Sequence, residues 1–274
     1  ELLRHGHYPQ GGGEIILRVS PSSLSSVEPR RSELERVEGV SHACGLPEHI
    51  VERQSESACE VTEAELDASV PLPSVGAYRT GFRDALDGRL PDRAPDGPVR
   101  RAAFEAAFDA AGASVPDSTI EAFAGTYRQR RLDQLCPIDG ARGLLSELSE
   151  EYRVLVVTNG PADLQREKLR RTGLGSYVDA MAVAGRCGVR KPDPELFGIA
   201  FERAGEAISG SIHVGDSRPD VEGALAAGLD PIVLDIGRPA PPEWLPDEVP
   251  VCRSLAAVRR AIRDHARDRH SSSE

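Results

Sequence analysis

The stretch SIHVGDSRPDVEGALAAGL, residues 211–229, reads as a strand, a tight acidic turn and a helix. Ile212 and Val214 favour the strand, Gly-Asp-Ser is turn chemistry, and apolar residues then recur at helical spacing. The turn holds two carboxylates, because Asp220 follows four residues after Asp216. Both acids therefore stand at the carboxyl end of a predicted strand, where open parallel sheets bind their ligands.

Strand-like and helical segments alternate on both sides of this stretch. Helical patterns separate four short apolar segments, and such alternation predicts a parallel sheet covered on both faces. We expect an α/β core over residues 136–254 and a C-terminal helix and tail over 255–274. The strand candidates are YRVLVVTN (152–159), AMAVAG (180–185), SIHVGD (211–216) and PIVLDI (231–236).

The chain before residue 136 has a different character. Residues 76–135 hold three helical patterns with no strand between them, and Phe104 and Phe108 lie one helical turn apart. We expect a small helical unit inserted before the core. Residues 1–75 are rich in Ser, Glu, Arg and Pro, with one strand candidate, EIILRV at 14–19. This composition predicts an irregular, weakly folded segment.

Composition limits the classes of function. A net charge of −11 argues against nonspecific binding to nucleic acid or to an anionic membrane, which needs a basic face. No apolar run approaches the roughly 18 residues of a membrane span, and no basic-then-apolar secretory leader opens the chain. An odd number of cysteines without a CxxC pair favours free thiols in a reducing, cytoplasmic compartment. The cysteines are Cys44, Cys59, Cys136, Cys187 and Cys252.

Polar residues follow three of the predicted strands. Thr158 and Asn159 end the first of these segments, ahead of a helix whose N–H groups favour an anion. Lys191 lies in the loop after the second, although the chain holds only one other lysine among 33 basic residues. Asp216 and Asp220 offer the hard oxygen ligands that Mg²⁺ prefers. Together these residues predict an anion and metal site, with phosphate as the expected anion.

Each of these motifs has an ordinary structural explanation when taken alone. Thr-Asn-Gly is a common turn with a helix cap, a loop lysine before proline is commonly solvated, and two acids at a helix start are common capping partners. Capping does not explain why a lysine-poor chain places a lysine in this loop. The order of the three motifs at successive strand ends favours the functional interpretation.

The three motifs resemble those of the haloacid dehalogenase-like (HAD) hydrolase superfamily. The matching residues are VVTNG (156–160), RKPDPELF (190–197) and HVGDSRPDVEGALAAG (213–228). The resemblance implies a Rossmann-like α/β core with a helical cap, and residues 76–135 fit the cap. It also implies a Mg²⁺-dependent phosphatase that acts on a small phosphorylated substrate through an aspartyl-phosphate.

The resemblance implies a role for each candidate residue. Thr158 would hydrogen-bond the transferring phosphoryl group, and Asn159 would help to orient the substrate or the cap. Lys191 would neutralise phosphate charge and pair with the nucleophile. Asp216 would bind Mg²⁺, with Asp220 supporting the ion directly or through water. These roles agree with phosphoryl transfer, which depends on positioning and charge neutralisation.

The first motif of the superfamily, an apolar strand ending in Asp-x-Asp-Gly-Thr, does not occur. Aligning LDASVPL (66–72) with it puts Asp67 at the nucleophile and Ser69 at the general acid/base. Three explanations are open: an inactive relative, a degraded motif that uses Asp67, or a misassembled leader on an otherwise ordinary enzyme gene. Either residues 60–68 or EIILRV must fill the place of the missing central strand, and we expect it to be poorly filled.

Two other functions remain as alternatives. A non-catalytic protein that binds a phosphorylated ligand would explain the missing motif. A haloacid dehalogenase is less favoured, because GDSRPD (215–220) offers a Mg²⁺ site that halide displacement does not need. The sequence indicates neither the particular substrate nor the oligomeric state.

Overall fold

The computed structural model describes residues 15–18, 71, 73–88, 95–133, 135–236 and 240–271. Its centre is a six-stranded sheet with the spatial order β3-β2-β1-β4-β5-β6. The strands are β1 (Ile15–Arg18), β2 (Arg153–Thr158), β3 (Ala180–Val183), β4 (Ser211–Gly215), β5 (Asp230–Leu234) and β6 (Val251–Cys252).

The strand β1 occupies the central position of this sheet and runs against its neighbours. Ile15 pairs with Val156 on one side and with Val214 on the other, and both pairings are antiparallel. The other neighbouring pairs of described strands are parallel. The amino end of β1 therefore lies at the edge where β2 and β4 have their carboxyl ends.

Helices cover both faces of the sheet, as the alternation predicted. One hydrophobic cluster joins Leu155 and Val157 of β2 to Phe197, and another joins Val154 and Ile212 to the helices on the opposite face. The core helices are α4 (Ala141–Glu151), α5 (Ala162–Thr172), the short α6 (Ala184–Cys187), α7 (Glu195–Ala204), α8 (Arg218–Ala227) and α9 (Leu255–Ser271), with a 3₁₀ turn at Leu174–Tyr177.

Three further helices precede the core and pack around aromatic rings. They are α1 (Val75–Asp87), α2 (Asp96–Ala110) and α3 (Asp117–Asp133). Phe104 stacks against Tyr78 with ring centroids 4.5 Å apart, and Phe108 meets Phe123 edge to face at 5.3 Å. Such contacts add to the burial of apolar surface. These helices lie where the cap was predicted, and we call them the cap.

The predicted fold class, a Rossmann-like α/β core with a helical cap, is confirmed, with one difference at β1. The predicted gap is filled by part of EIILRV, but in the antiparallel direction. Asp67 and residues 60–68 lie outside the described residues, as does most of the predicted irregular segment 1–75. No helix in the described part of the chain is long and apolar enough to cross a membrane.

Candidate active site

Thr158 and Asn159 lie at the carboxyl end of β2, on the edge of the sheet that we call the site edge. Thr158 is buried, and its hydroxyl makes only a long hydrogen bond of 3.5 Å to the carbonyl of Asn159 among the described residues. The Asn159 amide donates to the Lys191 carbonyl at 3.1 Å, and its oxygen accepts from the Lys191 N–H at 2.9 Å. Asn159 therefore holds the Lys191 loop in place, and its expected contact with substrate or cap stays a prediction.

Gly160 lets helix α5 begin close to this strand end. Its φ of 145° favours glycine, and a Cβ here would lie 2.6 Å from the Gln165 Nε2 atom. Gln165 in turn donates to the Asn159 carbonyl at 3.3 Å. The first turn of α5 is thereby attached to the site edge.

Lys191 reaches from its loop into the space between β2 and β4. The side chain is 1% exposed, and its ammonium donates to Asp220 Oδ1 at 2.6 Å and to the Val157 carbonyl at 3.1 Å. A buried charge is tolerated only when it is paired and hydrogen-bonded in this way. The loop lysine is therefore part of the site and is not a solvated surface residue.

Asp220 is the centre of the site's hydrogen bonding. Its Oδ2 atom accepts from the Asp216 N–H at 3.3 Å, from the Ser217 N–H at 3.0 Å and from the Ser217 hydroxyl at 2.5 Å. Burial raises the pKa of Asp220, but the charge of Lys191 and the hydrogen bond from His213 outweigh it and hold the pKa below its ordinary value. Asp220 is therefore an ionised acceptor with both oxygens engaged.

His213 is a site residue that the sequence reasoning missed. It is fully buried on β4, its Nε2 lies 3.4 Å from Asp220 Oδ1, and its ring meets Phe197 edge to face. Burial lowers the pKa of His213, so the ring is neutral near pH 7. A histidine within an otherwise apolar strand was the available signal. We call Asp220, Lys191, His213 and Ser217 the Asp220 network.

The turn after β4 brings Asp216 to the same edge. Gly215 precedes it, and a Cβ on this glycine would lie only 2.5 Å from the Cβ of Asp220. The half-buried Asp216 carboxylate acts electrostatically on Lys191. The absence of a side chain at Gly215 thus lets the two acids share one edge of the sheet.

The donor set fits Mg²⁺ held mainly by Asp216. Mg²⁺ keeps several waters and needs only one or two carboxylates from the protein. The oxygens of Asp220 already accept from their neighbours, which favours the indirect role for this residue. No group of three or more potential metal-ligating side chains occurs among the described residues. The site as described can therefore supply part of a magnesium shell.

The described residues place no carboxylate at the position expected for the nucleophile. That position is the carboxyl end of the central strand, but the carboxyl end of β1, at Arg18, pairs with Arg153 and Ser211 at the opposite edge. The structure brings together Thr158, Asn159, Lys191, Asp216 and Asp220, while the proposed nucleophile Asp67 lies outside the described residues.

Comparison with known proteins identifies the class to which this site belongs. The profile of the haloacid dehalogenase-like hydrolases matches residues 97–234, which is half of the chain. The chain therefore belongs to that family.

The similar proteins fall into two kinds. A phosphoserine phosphatase from Thermus thermophilus is 38% identical over 154 residues, which is 55% of this chain and 61% of the relative. An RNA 3'-terminal phosphate cyclase from Methanothermobacter thermautotrophicus is 41% identical over 71 residues, which is 26% of this chain and 21% of the relative. The chain thus spans less than two thirds of either relative.

A solved structure supports the fold over a longer span. The 2-haloacid dehalogenase from Pseudomonas syringae superposes with a TM-score of 0.57 at 25% identity, covering 78% of this chain and 91% of that one. The same architecture therefore serves a dehalogenase, and the choice of reaction depends on the residues of the site.

Proposed function

We propose that this protein is a Mg²⁺-dependent phosphatase of a small phosphorylated metabolite in the cytoplasm. The observation that carries this proposal is the buried ammonium of Lys191, held by Asp220 and by the carbonyl of Val157, the residue before Thr158. A fixed cation and a hydroxyl at the carboxyl edge of a parallel sheet form an electrostatic cradle for a phosphoryl group.

The position and contacts of each residue indicate its role in the reaction. Thr158 donates its hydroxyl to a phosphoryl oxygen, and Lys191 neutralises the charge of that group. Asn159 and Asp220 position Lys191, since each holds a different part of the residue. Because positions fixed before the reaction cost no reorganisation during it, this rigidity favours catalysis.

Asp216 would hold the magnesium ion beside this cradle. A bound Mg²⁺ would supply charge neutralisation for the phosphoryl oxygens. Replacement of Asp216 by Asn should abolish the rise in melting temperature that millimolar Mg²⁺ gives the wild-type chain, measured by calorimetry. A wild-type chain that shows no such rise contradicts the magnesium assignment.

The proposed reaction also needs a nucleophile, and the candidate Asp67 lies outside the described residues. We favour the explanation of a leader joined to an otherwise ordinary enzyme gene. The hydrolase profile begins only at residue 97, after the place where the family's first motif would stand. On this proposal β1 occupies a position that the family's own first strand would take.

Restoration of the missing motif tests the function. Replacing AELDASVPL (64–72) by FDLDGTL should raise Mg²⁺-dependent hydrolysis of p-nitrophenyl phosphate by about a hundredfold or more, since nucleophile and general acid return together. The same graft with Lys191→Ala, as the matched control, should show no gain. If the original chain already hydrolyses the ester and Asp67→Asn abolishes this, Asp67 is the nucleophile and the leader is intact.

A non-catalytic binder of phosphorylated ligands is the second candidate. The absence of a nucleophile among the described residues favours it, because the cradle is complete without one. A folded, repaired chain that binds inorganic phosphate but stays inactive would establish this alternative. Dehalogenase activity is less favoured, because halide displacement does not need the acidic turn at Asp216.

A further inference from the structure

Lys168, the other lysine of the chain, has no part in the site described above. It lies on α5, one helical turn after Gln165, and its side chain is half-buried. Side chains three residues apart share a helix face and lean towards the N-terminus of the helix. Lys168 therefore lies on the face of α5 that carries Gln165, which contacts Asn159 at the site edge.

Helix α5 also contacts the cap. The Asp163 carboxylate, in the first turn of α5, accepts a hydrogen bond from the N–H of Asp96 in the cap at 2.9 Å. The charges of Arg131 and Arg100, both on cap helices, act on Lys168, as does the charge of Asp96. Lys168 therefore lies at the boundary between core and cap, with cations on the cap side.

The Asp96 carboxylate, whose charge acts on Lys168, is already occupied. Asp96 accepts from Arg100 at 2.7 and 3.3 Å and from Arg128 at 2.9 Å. Within the described part of the chain, neither Lys168 nor Arg131 forms an ion pair, and Arg131 lies over the ring of Tyr127. The cluster therefore carries more positive than negative charge.

Without a bound anion, this excess of positive charge around Lys168 destabilises the folded protein. Burial, together with the charges of Arg131 and Arg100, lowers the pKa of Lys168 to about 7. On the same helix, Arg170 and Arg171 both pair with Glu167. An acidic chain therefore has carboxylates available for α5, yet no carboxylate among the described residues forms an ion pair with Lys168. A bound anion would remove this imbalance.

We propose that Lys168 and Arg131 form a second anion site, which binds a carboxylate on the leaving group of the phosphorylated substrate. This inference rests on the proposed function, because the phosphoryl group would lie at Thr158 and Lys191. It deepens that function by naming the substrate class: phosphomonoesters that carry a carboxylate within reach of the phosphate. Lys168 is then a specificity residue and takes no part in the transfer itself.

Binding of a matched pair of ligands tests this site in the full chain. O-phospho-L-serine and O-phosphoethanolamine differ in one carboxylate, and calorimetric titration gives the affinity of each. The wild-type chain should bind phosphoserine about tenfold more tightly. Lys168→Met should reduce this ratio to about one and leave the affinity for inorganic phosphate unchanged. Arg166→Met, at an exposed position of the same helix, is the control and should keep the full ratio.

The pH dependence of the ratio separates direct binding from a structural effect. Arg100, Arg131 and Asp96 are the charged groups that act on Lys168. The ratio should fall as pH rises from about 6 to about 9, because Lys168 loses its charge in that range. In Lys168→Arg the ratio should stay constant over the same range, because arginine remains charged.

Titration with inorganic phosphate distinguishes failure of the second anion site from failure of the proposed phosphatase function. If inorganic phosphate binds but Lys168→Met keeps the tenfold ratio, the second anion site is wrong and the proposed function stands. If phosphate does not bind to the wild-type chain, the proposed function fails and the second site, which rests on it, fails too. A melting temperature for Lys168→Met at or above that of the wild type shows that the variant is folded.

Discussion

Two buried aspartates organise the two parts of this molecule, and their surroundings differ. Asp220 in the core accepts from a lysine, a histidine, a serine hydroxyl and two backbone N–H groups. Asp96 in the cap is paired with two arginines, Arg100 and Arg128. Both carboxylates are fully buried, so the paired cations of each offset the cost of burying a charge.

The two networks leave opposite charge in excess. In the core, the buried ammonium of Lys191 faces the carboxylates of both Asp216 and Asp220. In the cap, Asp96 faces Arg100 and Arg128, with Arg131 and Lys168 nearby. An excess of negative charge favours a metal ion, and an excess of positive charge favours an anion. The comparison therefore supports a metal in the core and an anionic group of the substrate beside the cap.

The largest expected effect is at Asp220. Asp220→Ala leaves the buried ammonium of Lys191 without its carboxylate, which should lower the free energy of unfolding by about 3–5 kcal/mol. Urea denaturation followed by circular dichroism measures this loss. Asp247→Ala, at an exposed position, is the control and should change stability by less than about 0.5 kcal/mol. A loss below about 1 kcal/mol in Asp220→Ala contradicts the Asp220 network.

Asp96→Ala should have a somewhat smaller effect of about 3 kcal/mol. Arg100 is 1% exposed and loses its carboxylate, although it keeps its hydrogen bond of 2.6 Å to the Tyr78 hydroxyl. The same denaturation measures the loss. Phosphate affinity should stay at the wild-type value, because Asp96 has no contact with Thr158 or Lys191. A parallel loss of phosphate binding would show that the two networks are coupled.

The sequence predicted the core network better than the cap network for a physical reason. Parallel strands bring their carboxyl ends to one edge, so Thr158, Lys191 and Asp216 could be grouped from strand order alone. Asp96 and Arg128 are far apart in the chain and meet only because three helices pack in a particular way, which helical periodicity does not determine. Strand order was also insufficient for β1, because an apolar segment carries no signal of its direction in the sheet.

Gly215→Ala tests how tightly the core network is packed. A Cβ at this position would lie 2.5 Å from the Cβ and 2.6 Å from the Cγ of Asp220, so the carboxylate must shift. Overpacking of this kind should cost roughly 1–3 kcal/mol. Gly198→Ala in helix α7 is the matched control, since its Cβ meets no atom within 4 Å. That variant should be neutral or more stable by about 0.5–1 kcal/mol, and equal effects of the two substitutions would contradict the close packing.

The smallest expected effect is at Arg128. This variant distinguishes the contribution of Arg128 to the stability of the buried Asp96 from that of Arg100. Arg128 is one third exposed, and without it Asp96 still accepts two hydrogen bonds from Arg100. Partial exposure screens the charge, so Arg128→Ala should cost only about 1 kcal/mol in urea denaturation. If Arg128→Ala costs as much as Asp96→Ala, Arg100 alone does not satisfy the buried carboxylate. In that case Asp96 needs both Arg100 and Arg128, so fewer of the positive charges in the cap remain unbalanced. The argument for a bound anion at Lys168 would then be weaker.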